Sequence, residues 1–195
     1  GVVMMAKIRF DRDWLFYRGE LPPYSDTDMW GGAKAKGFMF GAASMGFDDS
    51  SWRKVELPHD YVMEGDYTRN RSESRMMRSI PEMESIDSRH FAGGSLSGGI
   101  GWYRKTFAVN GERARGRVYI HFDGVYRDST VFLNEYIVGR HSSGYTGFCY
   151  DITDFIDFER ENVIAVRVDS SGREGWWYEG GGIYRHVWLE YKENI

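Results

Sequence analysis

Short segments in which apolar and polar residues alternate recur along the chain, and this alternation constrains the fold more than any other feature. In RVYIHFD (117–123) every second residue is apolar, and NVIAVRV (162–168) places apolar residues at the same spacing. Because successive side chains of a β-strand point to opposite faces, the pattern predicts strands with one buried face. The residues predicted on those faces are Val118, Ile120, Phe122, Ile164, Val166 and Val168.

Further short segments rich in aromatic and β-branched residues are each bounded by turn residues: WLFYRG, WRKVEL, WYRKTFAV, STVFLN, YIVGRH and YRHVWLEY. Asn134-Glu135 lies between two of them and predicts a hairpin turn, because asparagine tolerates positive φ. Strands spaced by roughly ten residues are typical of an antiparallel β-sandwich. The sequence therefore predicts an all-β fold in a single domain spanning residues 1–195.

Three stretches depart from this pattern. DITDFID (151–157) predicts one short helical turn capped by Thr153 or Asp154. Residues 21–46 and 64–99 show no sustained period, and loops of this length are usually functional or poorly ordered. Both are predicted as long irregular connections.

Charge and composition exclude several classes of protein. The net charge is −4 and no basic stripe exists to neutralise phosphates, so nucleic acid is not an expected partner. No window approaches the ~18 apolar residues of a membrane span. Cys149 is the only cysteine, so no intrachain disulfide can form, and its apolar neighbours predict a buried thiol. No leader precedes Gly1, so any signal peptide would already have been removed, and we expect a periplasmic or secreted protein.

Familiar catalytic and metal-binding motifs do not occur. GGSLSGGIG (93–101) resembles a phosphate loop but lacks the Gly-Lys-Ser/Thr ending, so a flexible loop at the rim of a site is favoured. His121 and Asp123 share a strand face with Tyr119, and a solvated polar face explains them better than a metal site. These motifs single out no catalytic residue, although paired carboxylates stay open among the 29 acidic residues, and we predict no metal and no cofactor.

The stretch WWYEGGGIYRHVW (176–188) combines aromatic rings, a carboxylate and three consecutive glycines. A loop that holds a flat polar ligand such as a sugar needs these parts, and so does a tightly packed strand entry. We expect Trp176 and Glu179 to be exposed and to face a ligand. For Trp177 and Trp188 we favour packing against the core of the sandwich.

Four blocks of the sequence together resemble the N-terminal sugar-binding domain of glycoside hydrolase family 2, which includes β-galactosidases, β-glucuronidases and β-mannosidases. They are WRKVELPHDY (52–61), GGIGWYRKTF (98–107), FDGVYRDSTVFLNEYIVGRHSSGYTGFCYDIT (122–153) and WYEGGGIYRHVWL (177–189), in the order of the family. The resemblance implies a jelly-roll sandwich of the galactose-binding-domain-like type. In the family, an immunoglobulin-like domain and a catalytic (β/α)₈ barrel follow this domain.

Length bears on activity, because retaining glycosidases use two carboxyl groups about 5 Å apart. The resemblance places both on the barrel, which needs about 250 residues by itself. We therefore expect the 195-residue chain to be a non-catalytic fragment of a β-galactosidase-like enzyme. Its expected partners are a carbohydrate such as a β-galactoside and the downstream domains of the same polypeptide.

The resemblance also implies which residues form the rim of the sugar site. Some members carry an acidic residue seven positions before the Ile-aromatic-Arg triplet, and Trp176 occupies that position here. The predicted rim residues are therefore Trp176, Tyr178, Glu179 and Asp60, with Asp60 explained equally well as a turn-forming residue. Two other interpretations stay open: a free-standing carbohydrate-binding module, and a purely structural brace.

Overall fold

The computed structural model describes residues 6–21, 41–68, 95–109, 116–171 and 179–192, which contain twelve β-strands and one 3-10 helix. The strands are β1 (Ala6–Arg9), β2 (Trp14–Arg18), β3 (Arg53–Val55), β4 (Tyr67–Thr68), β5 (Ser95–Leu96), β6 (Ile100–Phe107), β7 (Arg117–Phe122), β8 (Ser129–Leu133), β9 (Tyr136–His141), β10 (Phe148–Asp151), β11 (Asn162–Asp169) and β12 (Val187–Lys192). The 3-10 helix spans Thr153–Phe155. Most of the two predicted long connections, residues 22–40 and 69–94, lies outside the described residues.

The strands form two large antiparallel sheets, which confirms the predicted β-sandwich. The four-stranded sheet has the order β1-β12-β7-β10 and the six-stranded sheet the order β3-β2-β6-β11-β8-β9, while β4 and β5 pair separately. Within the described ranges, no helix has the length and apolar character needed to cross a membrane.

The core lies between the two sheets and contains the faces that the alternation predicts. Val118, Ile120 and Phe122 of β7 point inward from the four-stranded sheet and meet the inward residues of β11. Ile164, Val166 and Val168 are fully buried there. Each such aliphatic side chain contributes ~1.5–3 kcal/mol by leaving water, so this layer is the main stabilising element of the domain.

The six-stranded sheet is covered on its outer face as well. Trp102, Phe132 and Ala165 form a second apolar cluster there with residues of the 41–52 segment. The buried Arg104 holds that segment in place, since it donates to Asp49 Oδ2 at 2.8 Å and also to main-chain carbonyls of the same segment. A buried guanidinium is tolerated because its donors are satisfied.

The hairpin and the short helix are both present, but the predicted helix cap is wrong. Asn134 and Glu135 join β8 to β9, with φ of 48° and 75°. The 3-10 helix begins at Thr153, and its N-cap position is Ile152, with no capping bond from a side chain. Asp151 lies just before it and accepts the main-chain N–H of Thr153 at 3.1 Å.

Two predictions about burial are wrong, and both concern the outer face of the four-stranded sheet. The thiol of Cys149 is exposed, because Cys149 points away from the core while Phe148 and Tyr150 pack against it. Trp188 is half-buried on the outer face rather than in the core, because its neighbours Val187 and Leu189 take the inner positions. In both strands the alternation outweighs the apolar character of a single residue.

Candidate functional site

The glycine-rich stretch enters the sandwich between two other segments at one end of the molecule. His59 N donates to Ile183 O at 2.8 Å and Tyr61 N to Gly181 O at 2.9 Å. On the opposite side, Gly182 and Tyr126 exchange two main-chain hydrogen bonds of 2.7 and 2.9 Å. We call this end, formed by residues 59–64, 97–101, 124–128 and 179–183, the rim end. The backbone of residues 181–183 is thus hydrogen-bonded to both neighbouring segments.

The glycines of this stretch lie against protein groups. A Cβ at Gly180 would lie 2.0 Å from Asp60 Oδ2. A Cβ at Gly182 would lie 2.4 Å from Tyr103 Oη and 2.6 Å from His59 O, and the φ of Gly182 is +127°. Side chains at these positions would collide with their neighbours, and at Gly182 the backbone also favours glycine. The close approach that glycine permits is therefore made to the protein at both positions.

Asp60 links two segments that are far apart in sequence. Its Oδ1 accepts the N–H groups of Val62 at 3.0 Å and Met63 at 3.2 Å, which shapes the local turn. The same oxygen accepts the N–H of Gly181 at 2.9 Å, 121 positions away. Asp60 thus forms the turn that the sequence suggested and also holds the glycine-rich stretch in place. A contact between Asp60 and a sugar stays a prediction.

Of the other predicted rim residues, the structure describes only Glu179. It is half-buried and directly precedes Gly180, whose backbone lies against Asp60. Glu179 and Asp60 are therefore in neighbouring segments of the rim end. Trp176 and Tyr178, together with Trp177, lie outside the described residues, and their roles stay predictions.

A network of polar side chains lies beneath the rim, and no sequence pattern predicts it. The imidazole of the buried His59 has Nδ1 at 2.7 Å from Tyr103 Oη and Nε2 at 3.2 Å from Arg53 Nη2. Arg53 can only donate and Tyr103 can donate or accept, so the roles of the two ring nitrogens follow the tautomer of His59. Glu64 pairs with Arg53, and one of its oxygens lies 3.2 Å from His59 Nε2. One sequence signal could have indicated this network: His59 directly precedes the predicted rim residue Asp60.

Burial sets the protonation of this network. It lowers the pKa of His59, and the nearby Glu64 carboxylate acts in the opposite direction. The hydrogen bond from Arg53 lowers the pKa of Glu64, while burial raises the pKa of Tyr103 well above its usual range. The neutral imidazole and neutral phenol therefore support the segment that carries Asp60 without adding charge to the core.

A second set of hydrogen bonds ties residues 97–101 to the rim end. Tyr61 Oη donates to Gly99 O at 2.8 Å and lies 2.9 Å from Ser170 Oγ. Ser170 also donates to Gly99 O, from its main-chain N–H at 2.9 Å and its hydroxyl at 3.0 Å. The latter half of GGSLSGGIG is thus fixed beside the glycine-rich stretch.

Potential metal ligands do not cluster in the parts of the chain that the structure describes. On the outer face of the four-stranded sheet, His121 Nε2 lies 2.7 Å from Glu190 Oε2. Asp123 accepts the indole N–H of Trp188 at 2.8 Å. His121 and Asp123 therefore pair with different neighbours.

Comparison with known proteins gives a consistent result. Residues 92–193 match the family described as glycosyl hydrolases family 2, sugar binding domain. A β-galactosidase from Bacteroides ovatus, BoGH2A, is 38% identical over 182 residues, which are 92% of this chain and 17% of that protein. A putative β-glucuronidase from Formosa agariphila is 32% identical over 184 residues, 92% of this chain and 14% of that protein.

A solved structure agrees with these sequence matches. A glycosyl hydrolase family 2 member from Bacteroides cellulosilyticus superposes with a TM-score of 0.69 at 32% identity, covering 94% of this chain and 20% of that chain. The chain therefore spans between 14% and 20% of the length of these three proteins.

Proposed function

Since the chain belongs to the sugar binding domain of the glycosyl hydrolases family 2, we propose that it is the non-catalytic N-terminal domain of a glycosidase that hydrolyses terminal β-galactosides. In this role it shapes the rim of the active site, and the catalytic carboxylates belong to another part of the parent polypeptide. The observation that carries the proposal is the rim end, where hydrogen bonds of Gly181 with Asp60 and Tyr61 hold the glycine-rich stretch in place.

The arrangement of the rim end explains how a domain without catalytic residues could serve a sugar site. A sugar offers an apolar C–H face to aromatic rings and hydroxyl groups to carboxylates. The fixed backbone at Gly181 anchors one end of the segment that carries Trp176, Tyr178 and Glu179. A backbone that is already held in place loses little conformational entropy when a sugar binds beside it.

Sequence similarity favours a galactoside over a glucuronide, since the putative β-glucuronidase is only 32% identical. The relative that is 38% identical is named a β-galactosidase, which supports the same substrate class.

The first test is hydrolysis by the parent polypeptide and by the 195-residue chain. We expect the parent to hydrolyse an aryl β-galactoside faster than the matching aryl β-glucuronide, and the chain alone to hydrolyse neither. Turnover by the purified chain that disappears on mutation of one of its own acids would show that the fragment is catalytic. A parent that prefers the glucuronide would contradict the proposed substrate.

The second test addresses the rim directly. In the parent, Trp176→Ala should raise KM about fivefold, because a lost stacking contact is worth ~1 kcal/mol. The value of kcat should change little if the contact is equal in the ground and transition states. Trp176→Phe keeps an aromatic plate and is the matched control, for which we expect a smaller rise in KM.

A structural brace is the second candidate function, because the close contacts at Gly180 and Gly182 are with protein atoms. If the stretch only packs, Trp176→Ala should lower the melting temperature and leave KM unchanged. The same two measurements on one variant therefore separate the candidates.

A further inference from the structure

A groove of about 510 Å³ lies at the end of the sandwich opposite the rim end. The β8–β9 turn, the loop that follows the 3-10 helix, and Met45 form its walls. We call it the far-end groove. The residues that line the far-end groove are not those that form the rim end, so the groove is a separate feature of the domain.

The far-end groove presents apolar side chains to solvent. Phe158 is 39% exposed and Met45 is 45% exposed, and both line the groove. The half-buried rings of Tyr136 and Phe155 form its deeper wall and are tilted against each other at 5.9 Å. Exposed apolar side chains gathered in a concave surface usually mark a place where another protein surface binds.

All the charged residues that line the far-end groove are acidic. Glu135, Asp157 and Glu159 line it, and none of the described lining residues is basic. Glu135 accepts from Ser44, and Asp157 accepts the main-chain N–H groups of its own turn. The carboxylate of Glu159 is exposed and takes part in none of the ion pairs among the described residues. A surface that complements the groove would carry lysine or arginine beside apolar groups.

The groove lies close to the end of the last described strand. Lys192 of β12 pairs with Arg117 of β7, at a strand spacing of about 4.8 Å. Val118, which follows Arg117, is hydrogen-bonded to Ile152 and Thr153. The 3-10 helix begins at Thr153 and leads into the far-end groove. A polypeptide that continues beyond β12 would leave the sandwich at this end.

We propose that the far-end groove binds the part of the parent polypeptide that follows this domain, through a basic side chain placed beside apolar ones. The inference rests on the proposed function only in placing the chain within a longer polypeptide, since the chain spans 17% and 14% of two of its relatives. The contact fixes the orientation of the rim end relative to the rest of the enzyme.

The test uses two charge reversals that lie two positions apart. Glu159 lines the groove, whereas Glu161 is exposed and does not line it. In the parent, Glu159→Lys should lower the unfolding temperature of this domain by about 2–4 °C, and Glu161→Lys should leave it unchanged. In the 195-residue chain both variants should melt like the wild type. Amide hydrogen exchange at residues 155–159 should be about tenfold slower in the parent than in the chain alone.

Results of three kinds would overturn the inference. The first is an equal effect of the two reversals in the parent, or equal exchange at residues 155–159 in parent and chain. The second is destabilisation of the isolated chain by Glu159→Lys, which would make Glu159 part of the stability of the sandwich itself. The third is exchange at 155–159 that slows in the isolated chain when galactose is added, which would make the groove a sugar site.

Failure of this inference and failure of the proposed function give different results. Hydrolysis of the aryl β-galactoside by the wild-type parent tests the function and does not depend on Glu159. A parent that hydrolyses no glycoside, yet is selectively destabilised by Glu159→Lys, would keep the docking surface and reject the galactosidase assignment.

Discussion

The rim end and the far end of this sandwich use similar residue types in different ways. At the rim end, glycines lie in contact with Asp60 and Tyr103, and hydrogen bonds join segments more than a hundred positions apart. At the far end, the carboxylate of Asp157 accepts two main-chain N–H groups of its own turn, and Phe158 stays exposed. The described segments of the rim end are therefore held to one another by hydrogen bonds, whereas the far end has apolar surface left to cover.

This difference shows where each end can contribute to function. A site that orients a small ligand benefits from groups already held in place, because little conformational entropy is then lost on binding. A contact between domains can instead use exposed apolar surface that becomes buried on assembly. The predictions below compare matched residues at the two ends, beginning with the largest expected effect.

Glycine substitutions should give the largest difference between the ends. Gly182→Ala adds a Cβ 2.4 Å from Tyr103 Oη on a backbone with φ of +127°. Overpacking and backbone strain each cost ~1–3 kcal/mol, so we expect the free energy of unfolding to fall by about 2–6 kcal/mol in urea titrations.

Two other glycines serve as controls for this experiment. Gly99 has a φ of +132° with open space around a Cβ, so Gly99→Ala isolates the strain of the backbone. Gly46 adjoins Met45 of the far-end groove and has no atom within 4 Å of a Cβ, so Gly46→Ala should leave stability unchanged or slightly raised. Equal effects at Gly182 and Gly46 would contradict the contrast between the ends.

A pair of aspartates gives the second comparison. Asp60→Ala removes an acceptor from three main-chain N–H groups, one of them on Gly181, and should cost about 2 kcal/mol of unfolding free energy. It should also speed amide exchange at Gly181. Asp157→Ala removes an acceptor from two exposed N–H groups of one turn, which water can replace, and should cost about 1 kcal/mol or less.

Asp60→Asn is the conservative control, because it keeps an oxygen acceptor at the same place. It should retain most of the stability and the slow exchange at Gly181. If Asp60→Asn raises KM in the parent while stability holds, the carboxylate itself contacts the sugar. If Asp60→Ala leaves exchange at Gly181 unchanged, the link between the two segments is unimportant.

The fold could be predicted from the sequence because strands and turns depend on residues that are neighbours in the chain. The period of two in β7 and a turn at Asn134-Glu135 are set by neighbouring residues, and the sheets keep them. Cys149 and Trp188 were misplaced because an apolar residue was expected to be buried. The register of each strand against its neighbours decides the face instead, and single residues do not reveal it.

The site was less predictable because it depends on contacts between distant segments. The sequence drew attention to Asp60 and the glycine-rich stretch, but a run of glycines looks the same whether it approaches a ligand or the protein. The contacts of Gly180 with Asp60 and of His59 with Tyr103 join segments that no periodicity relates. Arg104 escaped notice for the same reason, since its partners lie in the 41–49 segment.

The smallest expected effect is a dependence of stability on pH that originates at the rim end. Burial lowers the pKa of His59 below the value of about 6.5 that histidine has in an unfolded chain. Between the two pKa values the unfolded state binds a proton that the folded state does not. Stability should therefore fall as the pH is lowered from about 6.5 through this window, and recover as the pH rises.

The groups around His59 make the experiment specific. Arg53, Glu64 and Tyr103 contact the imidazole. The hydrogen bond from Arg53 lowers the pKa of Glu64. Glu64 therefore loses its contribution to the free energy of unfolding only at a pH below about 4.5, outside the window of His59. Urea titrations at several pH values above and below 6 should show a weaker pH dependence in His59→Gln than in the wild type. Tyr103→Phe keeps the imidazole and should keep the dependence, although its overall stability falls. If the free energy of unfolding of His59→Gln depends on pH as strongly as that of the wild type, the pH dependence does not originate at the rim end. The two ends would then differ in packing alone.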